Sequence, residues 1–214
     1  MRLLTGHDSL FITRCWGSSP TNIYFAGLDG SLVHYDGSTW QSIASGTTED
    51  IQDIWGGTDL ITGKEFALAT VSTLYYGGYS RLLKITGTQA DTISTNGLSW
   101  SIRGVWFDSK GYYVVGAELY YKKTLQDSTW QTLQQSYYTT GYPEAIRGNA
   151  WNDIIGVGDF GTFLHYNGST WHDFTQELNL HDCNLLAVSI KGNLAVAVGT
   201  LGGEKAIAVV AQRK

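Results

Sequence analysis

The sequence predicts an all-β fold, a five-bladed β-propeller of four-stranded antiparallel blades, closed by an N-terminal strand that completes the last blade. Three observations lead to this prediction: an internal repeat, a composition that favours strands and turns, and chain ends that complement each other. The 214 residues include 26 Gly, 8 Trp and 13 Tyr but only 2 Pro, and 15% are charged. Aromatic residues favour strands and glycines favour tight turns, so we expect a single β domain over residues 1–214.

One segment of the chain occurs twice. Residues 29–40 align with residues 160–171, and both contain His-Tyr, then one variable residue, then Gly-Ser-Thr-Trp. A shorter copy stands at residues 127–133. Because chance does not produce such a match, the chain consists of repeated structural units.

The repeats begin at matching positions along the chain, and five of them can be aligned. The matched positions are Trp16, Trp55 and Trp106, then Ile102–Gly104 with Ile146–Gly148, then Gly158 with Gly199. Five repeats of about 43 residues each agree with four-stranded propeller blades. We expect the blades at residues 11–45, 50–97, 101–135, 144–176, and 184–211 together with 1–6.

Turn residues and alternation predict the strands inside a repeat. In the first repeat we expect strands at 11–16, 22–27, 31–35 and 39–44, with Asp36 and Gly37 in the hairpin turn before the outermost strand. The outermost strands then carry large rings that can cover the seams between blades, namely Trp40, Trp130 and Trp171. The last repeat has only three predicted strands, so we expect residues 1–6 to supply the fourth and remove an open edge.

A family resemblance follows from the first repeat. It begins with Trp-Gly-Ser-Ser-Pro at Trp16, continues with Val-His-Tyr-Asp-Gly-Ser-Thr-Trp and leads to the next Ile-Trp-Gly at Gly56. This pattern resembles the Trp-Gly repeats of propellers in bacterial secreted proteins and lipoproteins. The turn is also loosely similar to the Asp-box of sialidase-like propellers, although it is one residue shorter. The resemblance implies a propeller fold and an extracellular, periplasmic or outer-surface location, with the export segment absent from the sequence as given; it implies no activity.

Charge and motifs argue against several classes of function. The net charge is −5 and no run of Lys or Arg occurs, so we expect no nucleic-acid partner. No apolar stretch reaches the roughly 18 residues that span a bilayer, so we expect no transmembrane segment. Cys15 and Cys183 lie in no metal-binding or redox motif, and no other grouping has the spacing of a metal site. We expect buried free thiols, no cofactor, no metal and a monomer.

Residues that recur between repeats are interpreted as structural. His34 and His165 stand at matching places, and an active site needs its base once, whereas every blade needs its packing residue. The turn residues Asp36 and Asn167 receive the same interpretation.

Two segments interrupt the period, and both are rich in Tyr and Gly and uncharged. They are residues 72–80 in the second blade and residues 135–143 between the third and fourth blades. By blade order both loops emerge on one face of a propeller. Flat rings with polar tips suit a saccharide or a protein partner, so the first candidate binding residues are Tyr75, Tyr76, Tyr79, Tyr137, Tyr138 and Tyr142. The alternative is that these tyrosines only pack the loops.

Arg103 and Arg147 are the second candidates. The Ile-Arg-Gly match puts them at one position of adjacent inner strands, with Thr13 and Gln52 at the same register. If that register faces the central channel, two guanidinium groups would converge on an anion or a carboxylate. If it faces between blades, both arginines are structural.

The sequence therefore predicts a non-catalytic binding module, similar in general plan to five-bladed lectins, with a saccharide or surface peptide on the Tyr-rich face. The alternative is a structural or assembly protein of the cell surface that acts through protein contacts. A glycosidase is a third hypothesis; it would need two channel carboxylates about 5–10 Å apart. Asp53 is the only acid that we place on an inner strand, with Glu144 and Asp182 near strand starts.

Overall fold

A computed structural model describes residues 10–59, 62–73, 79–99, 101–133 and 141–213. These residues form five antiparallel β-sheets, which we call blades 1 to 5 in chain order. The chain divides into two compact units, Met1–Ser94 with blades 1 and 2 and Thr95–Lys214 with blades 3 to 5.

Each blade of the first unit has four strands. Blade 1 consists of β1 (Ile12–Ser19), β2 (Asn22–Gly27), β3 (Leu32–Tyr35) and β4 (Trp40–Ser42). Blade 2 consists of β5 (Ile51–Thr58), β6 (Glu65–Ser72), β7 (Ser80–Thr86) and β8 (Gln89–Ile93).

The second unit contains two blades of four described strands and one of three. Blade 3 consists of β9 (Ile102–Phe107), β10 (Tyr112–Gly116), β11 (Leu119–Lys122) and β12 (Gln131–Thr132). Blade 4 consists of β13 (Pro143–Ala150), β14 (Asp153–Gly158), β15 (Phe163–Tyr166) and β16 (Trp171–Asp173). The helix α1 (Thr175–Leu178) leads to blade 5, with β17 (Cys183–Lys191), β18 (Leu194–Leu201) and β19 (Lys205–Gln212).

Neighbouring strands in each sheet are consecutive in the chain, because short connections join each strand to the next antiparallel one. The predicted all-β class with five blades is confirmed.

Inner-strand tryptophans pack on glycines of the following blade at two places. Strand pairing puts Trp16 of β1 and Trp106 of β9 at equivalent positions. Trp16 covers Gly56 of blade 2, and Trp106 covers Gly148 of blade 4; a Cβ on either glycine would lie 2.4 or 2.7 Å from an indole carbon. The glycine of one blade therefore leaves the space that the Trp of the preceding blade fills.

A second recurring glycine marks a close approach of two strands. In blade 4 the inner strand has a β-bulge between Pro143 and Ala145, opposite the end of β14 at Gly158. A Cβ on Gly158 would lie 2.0 Å from a backbone oxygen, and one on Gly199 of blade 5 would lie 1.9 Å from another. The predicted match of Gly158 with Gly199 is thus confirmed, and it follows from the room that only glycine leaves beside the bulge.

The predicted aromatic rings lie at the outer strands. Trp40 begins β4, Trp171 begins β16, and Trp130 directly precedes β12. Trp171 is 8% exposed, and its ring meets that of Tyr113 in blade 3 edge-on, with 6.5 Å between centroids. An outer-strand Trp therefore covers the seam between blades 3 and 4.

β19 is the last described strand of blade 5. A groove of about 320 Å³ lies beside it, and its apolar lining includes Ile155, Phe163 and Val209. The predicted closing strand, residues 1–6, lies outside the described residues, so closure by the N-terminus stays a prediction.

Candidate functional site

The loop between β14 and β15 holds an aromatic residue in an unusual backbone conformation. Asp159–Gly161 form a 3-10 turn in which Phe160 has φ 54° and ψ 32°. This left-handed conformation costs a large L-residue about 1–2 kcal/mol. Phe160 is also 50% exposed, so burial of the ring offsets only part of that strain.

Blade 1 contains the same turn with an aspartate in place of the aromatic residue. Leu28–Gly30 repeat the turn, and Asp29, at the position of Phe160, has φ 54° and ψ 33°. Aspartate tolerates this conformation better than a bulky residue does. In both turns the glycine before the turn donates a backbone hydrogen bond of 3.0 Å across the loop. The turn therefore forms without an aromatic residue, and Phe160 is a departure from the repeat.

Tyr142 lies beside this turn. The backbone N–H of Asp159 donates a 3.0 Å hydrogen bond to the Tyr142 carbonyl oxygen, and Tyr142 is 50% exposed. Its counterpart in blade 1 is Phe11, which is 60% exposed. An exposed aromatic residue thus recurs at the position of Tyr142, whereas the one at Phe160 is specific to blade 4.

An open pocket of about 500 Å³ lies between Phe160 and blade 5. Residues just before and within β17 line one side, and the turn between β18 and β19 lines the other. We use the name Phe160 surface for six exposed residues of this region: Tyr142, Phe160, Asp182, Leu201, Glu204 and Lys205.

The charged side chains of the Phe160 surface have no partner within the described part of the chain. Asp182, Glu204 and Lys205 are exposed, and none of the three side chains forms a hydrogen bond or ion pair there. Behind the turn, burial raises the pKa of Asp159, and the guanidinium of Arg103 opposes that rise. The surface thus offers unengaged charges next to exposed apolar groups.

The predicted equivalence of Arg103 and Arg147 is wrong. The bulge of β9 lies at Arg103 and that of β13 lies at Glu144, so these two residues correspond. Arg147 corresponds instead to Trp106, because both pair with the same position of the second strand. The Ile-Arg-Gly alignment therefore places Arg147 three residues away from the true counterpart of Arg103.

Both arginines are engaged within blades 3 and 4. Arg103 Nη1 lies 3.5 Å from Glu144 Oε2. Arg147 Nη1 donates to the carbonyl oxygens of Ile146 and Val105 at 2.7 and 3.3 Å. Their assignment to ligand binding stays a prediction, but they do not form the symmetric pair that the sequence suggested.

The structure describes two of the six predicted tyrosines. Tyr79 packs against the core of blades 1 and 2, the guanidinium carbon of Arg81 lies 5.1 Å from its ring centroid, and its hydroxyl lies 3.4 Å from Thr47 Oγ1. Tyr79 thus fits the loop-packing alternative, whereas Tyr142 is exposed. The remaining four lie outside the described residues: Tyr75, Tyr76, Tyr137 and Tyr138.

The recurring histidines contact the first residue of the second strand in their own blade. His34 Nε2 lies 2.8 Å from Asn22 Oδ1, and His165 Nε2 lies 3.0 Å from Asp153 Oδ1. Asp153 also accepts a hydrogen bond from Arg213 at the end of blade 5. Burial lowers the pKa of His34. These contacts agree with the structural role that the repeat indicates.

Phe160 is absent from the residues predicted from the sequence, although a signal exists. When residues 29–40 are aligned with 160–171, the first pair replaces the turn former Asp29 with Phe160. The sequence gives no such signal for Asp182 and Glu204. They become part of the Phe160 surface only when the β18–β19 turn folds beside the blade 4 loop.

Within the described ranges, no group of three His, Cys, Asp or Glu side chains could hold a metal ion. The same ranges contain no helix that is long and apolar enough to cross a membrane. Cys15 and Cys183 are both free thiols. Cys183 is buried, as predicted, whereas Cys15 is exposed, so the prediction of a buried thiol is wrong for Cys15.

No protein-family model and no curated protein matches the chain. Two similar solved structures are described as YCF48 bound to D1 peptide and YCF48 from Cyanidioschyzon merolae. The first is 11% identical with a TM-score of 0.69, and the match covers 99% of this chain and 67% of that chain. The second is 13% identical with a TM-score of 0.65, and the match covers 99% and 72%. At this identity the likeness shows the fold alone, and it confirms the predicted β-propeller.

Proposed function

We propose that this chain is a non-catalytic module that binds a short polypeptide segment of a partner protein at the Phe160 surface. The observation that supports the proposal is Phe160 itself, a half-exposed aromatic residue in a left-handed conformation where the repeat has Asp29. Strain of this kind persists mainly where it serves a function. A bound segment would bury the ring and so compensate for the strain.

The composition of the surface fits a protein ligand. Protein interfaces combine a few apolar, often aromatic, anchors with a polar rim. Tyr142, Phe160 and Leu201 are 50%, 50% and 39% exposed and would be the anchors, while the charged side chains around the pocket would form the rim. A pocket of about 500 Å³ also lies within the size range of ligand sites.

The comparison with solved structures supports a peptide as the first ligand to test. One of the similar structures is described as a complex with a D1 peptide. That description concerns the other protein, and shared fold does not transfer a ligand. A saccharide ligand, a role in cell-surface assembly and an exported location stay predictions.

The test is a selection of binders from a phage-displayed library of random dodecapeptides on the folded chain. Affinities of the enriched peptides are then measured by fluorescence anisotropy on the parent chain and on Phe160→Asn. Asparagine tolerates the left-handed conformation and adds no charge, so the variant removes the ring without disturbing the turn. We expect binding to weaken about 10- to 30-fold, as for loss of an aromatic anchor of about 1.4–2 kcal/mol.

The matched control is Trp151→Ala. Trp151 is 43% exposed in the turn between β13 and β14, at the opposite end of those strands from Phe160, and its loss should leave affinity unchanged. Equal affinity of the Phe160→Asn variant and the parent chain would overturn the proposed site. Failure to enrich any peptide, with a signal on a glycan array, would overturn the peptide in favour of the saccharide.

A further inference from the structure

We infer that the partner segment presents a Lys or Arg side chain to the pocket of the Phe160 surface, beside an apolar residue that contacts Phe160. This inference rests on the function proposed above and specifies the chemistry of the partner.

Charge in the pocket favours a cationic side chain. Asp182 and Glu204 both line the pocket, and neither carboxylate has a partner among the described residues. Lys205 is the one Lys or Arg in the described lining, so the lining carries a net negative charge when His181 is neutral. An entering cation is attracted, whereas an entering carboxylate is repelled.

The polarity of the pocket wall favours a long basic side chain in particular. Phe160 and Leu201 present exposed apolar surface on the same pocket as the two carboxylates. Lys and Arg have an apolar stem and a charged head, so the stem can lie on the apolar wall while the head approaches a carboxylate. The face of the Phe160 ring adds a further attraction for a cation.

The adjoining turn offers little to an acidic ligand. Arg103, which acts on Asp159 behind the turn, already pairs with Glu144 at 3.5 Å, and both side chains are largely shielded, at 13% and 15% exposed. An incoming carboxylate would therefore meet one cation, Lys205, beside two carboxylates, Asp182 and Glu204.

The experiment uses the tightest-binding peptide from the dodecapeptide selection and a copy in which each Lys is norleucine and each Arg is citrulline. Affinities are measured on the full chain and on three exposed-site variants, Asp182→Asn, Glu204→Gln and Lys205→Gln. Circular dichroism checks that each variant is folded. We expect each acid variant to bind about two- to fivefold more weakly and Lys205→Gln to bind at least as tightly as the parent, as rim charges of this kind predict.

The uncharged copy of the peptide should bind more weakly than the parent peptide, and the difference should shrink between about 50 and 500 mM NaCl because salt screens exposed charges. If the selected peptides lose affinity on Phe160→Asn but respond to none of the three charge variants, the inference is overturned and the proposed function stands. If Phe160→Asn has no effect, the proposed function itself fails.

Discussion

The packing of Trp106 on Gly148 allows a double-mutant cycle that tests how neighbouring blades are held together. Trp106 is 2% exposed, so Trp106→Ala should lower the free energy of unfolding by about 3–5 kcal/mol, as for other buried rings. We expect the lower end of that range. The indole Nε1 is buried without a hydrogen-bond partner among the described residues, and removing an unsatisfied donor regains about 1 kcal/mol.

Gly148→Ala probes the same contact from the other side. The new Cβ would lie 2.7 and 2.8 Å from two indole carbons, and 3.0 Å from the Asp153 carbonyl oxygen. Ordinary contacts begin near 3.4 Å, so the ring must move by about 0.7 Å. Overpacking of this size costs about 1–3 kcal/mol. The control is Gly156→Ala in the same blade, whose new Cβ would meet no atom closer than 3.9 Å.

The assay is equilibrium urea unfolding followed by circular dichroism for both single variants, the double variant and the control. In the Trp106→Ala background, Gly148→Ala should cost much less, because the ring that it displaces is gone. The coupling energy should therefore equal most of the 1–3 kcal/mol that the single glycine variant loses. If the two losses of stability are additive, or if Gly156→Ala loses as much stability as Gly148→Ala, the contact with Trp106 is not the reason for a glycine at position 148.

Three further predictions concern single positions. Trp171→Ala should lower the free energy of unfolding by about 3–5 kcal/mol and His165→Ala by clearly less, and equal losses in chemical denaturation would contradict the role of Trp171 at the seam. Phe160→Asn should be more stable than Phe160→Ala by about 1 kcal/mol, because alanine keeps the left-handed strain; thermal melts that rank alanine first would contradict this. The hydroxyl and backbone N–H of Thr39, and then those of Ser38, donate hydrogen bonds to Asp36 and lower its pKa. The contribution of Asp36 to stability is therefore present above about pH 4 and lost as the pH falls further. Asp36→Asn should therefore lower the melting temperature at neutral pH and lose this effect in acid, and a pH-independent difference would be the contrary result.

The fold could be predicted because its sequence signals are local and repeated. A Trp followed by Gly recurs at Trp16 and Trp55, and the glycine at position 56 gives room to the ring of Trp16. A Gly near the end of the second strand recurs in four blades because the inner strand approaches it closely there, as at Gly158. The hairpin turn recurs because Asp36 and Asn167 both accept hydrogen bonds from the backbone N–H groups two and three residues further along the chain. Contacts that recur in several blades are therefore visible as a period in the sequence.

The register of the inner strand of blade 4 was predicted wrongly, because an Ile-Arg-Gly triplet recurs there by coincidence three residues beyond the position equivalent to Arg103. The matching Ile-Arg-Gly segments pointed to Arg147 as the counterpart of Arg103, whereas the bulge makes Glu144 its counterpart. Only part of the candidate site could be recognised in the sequence. Tyr142 was singled out because residues 135–143 interrupt the period, although the structure makes it the counterpart of Phe11. Phe160 was missed because it is a single-residue change inside a well-matched repeat.

The remaining residues of the Phe160 surface come together only through folding. Asp182 precedes β17 and Glu204 lies in the turn before β19, and the pocket exists because both lie beside the blade 4 loop. No spacing in the sequence connects them, so tertiary structure alone brings their charges next to Phe160.

The most direct test of the central claim is an amide chemical-shift map of the folded chain with and without a selected dodecapeptide. We expect the largest shifts on Tyr142, Phe160, Asp182 and residues 201–205, and no shift on Trp151. Shifts concentrated on any other surface, with the amide of Phe160 unchanged at saturation, would contradict it.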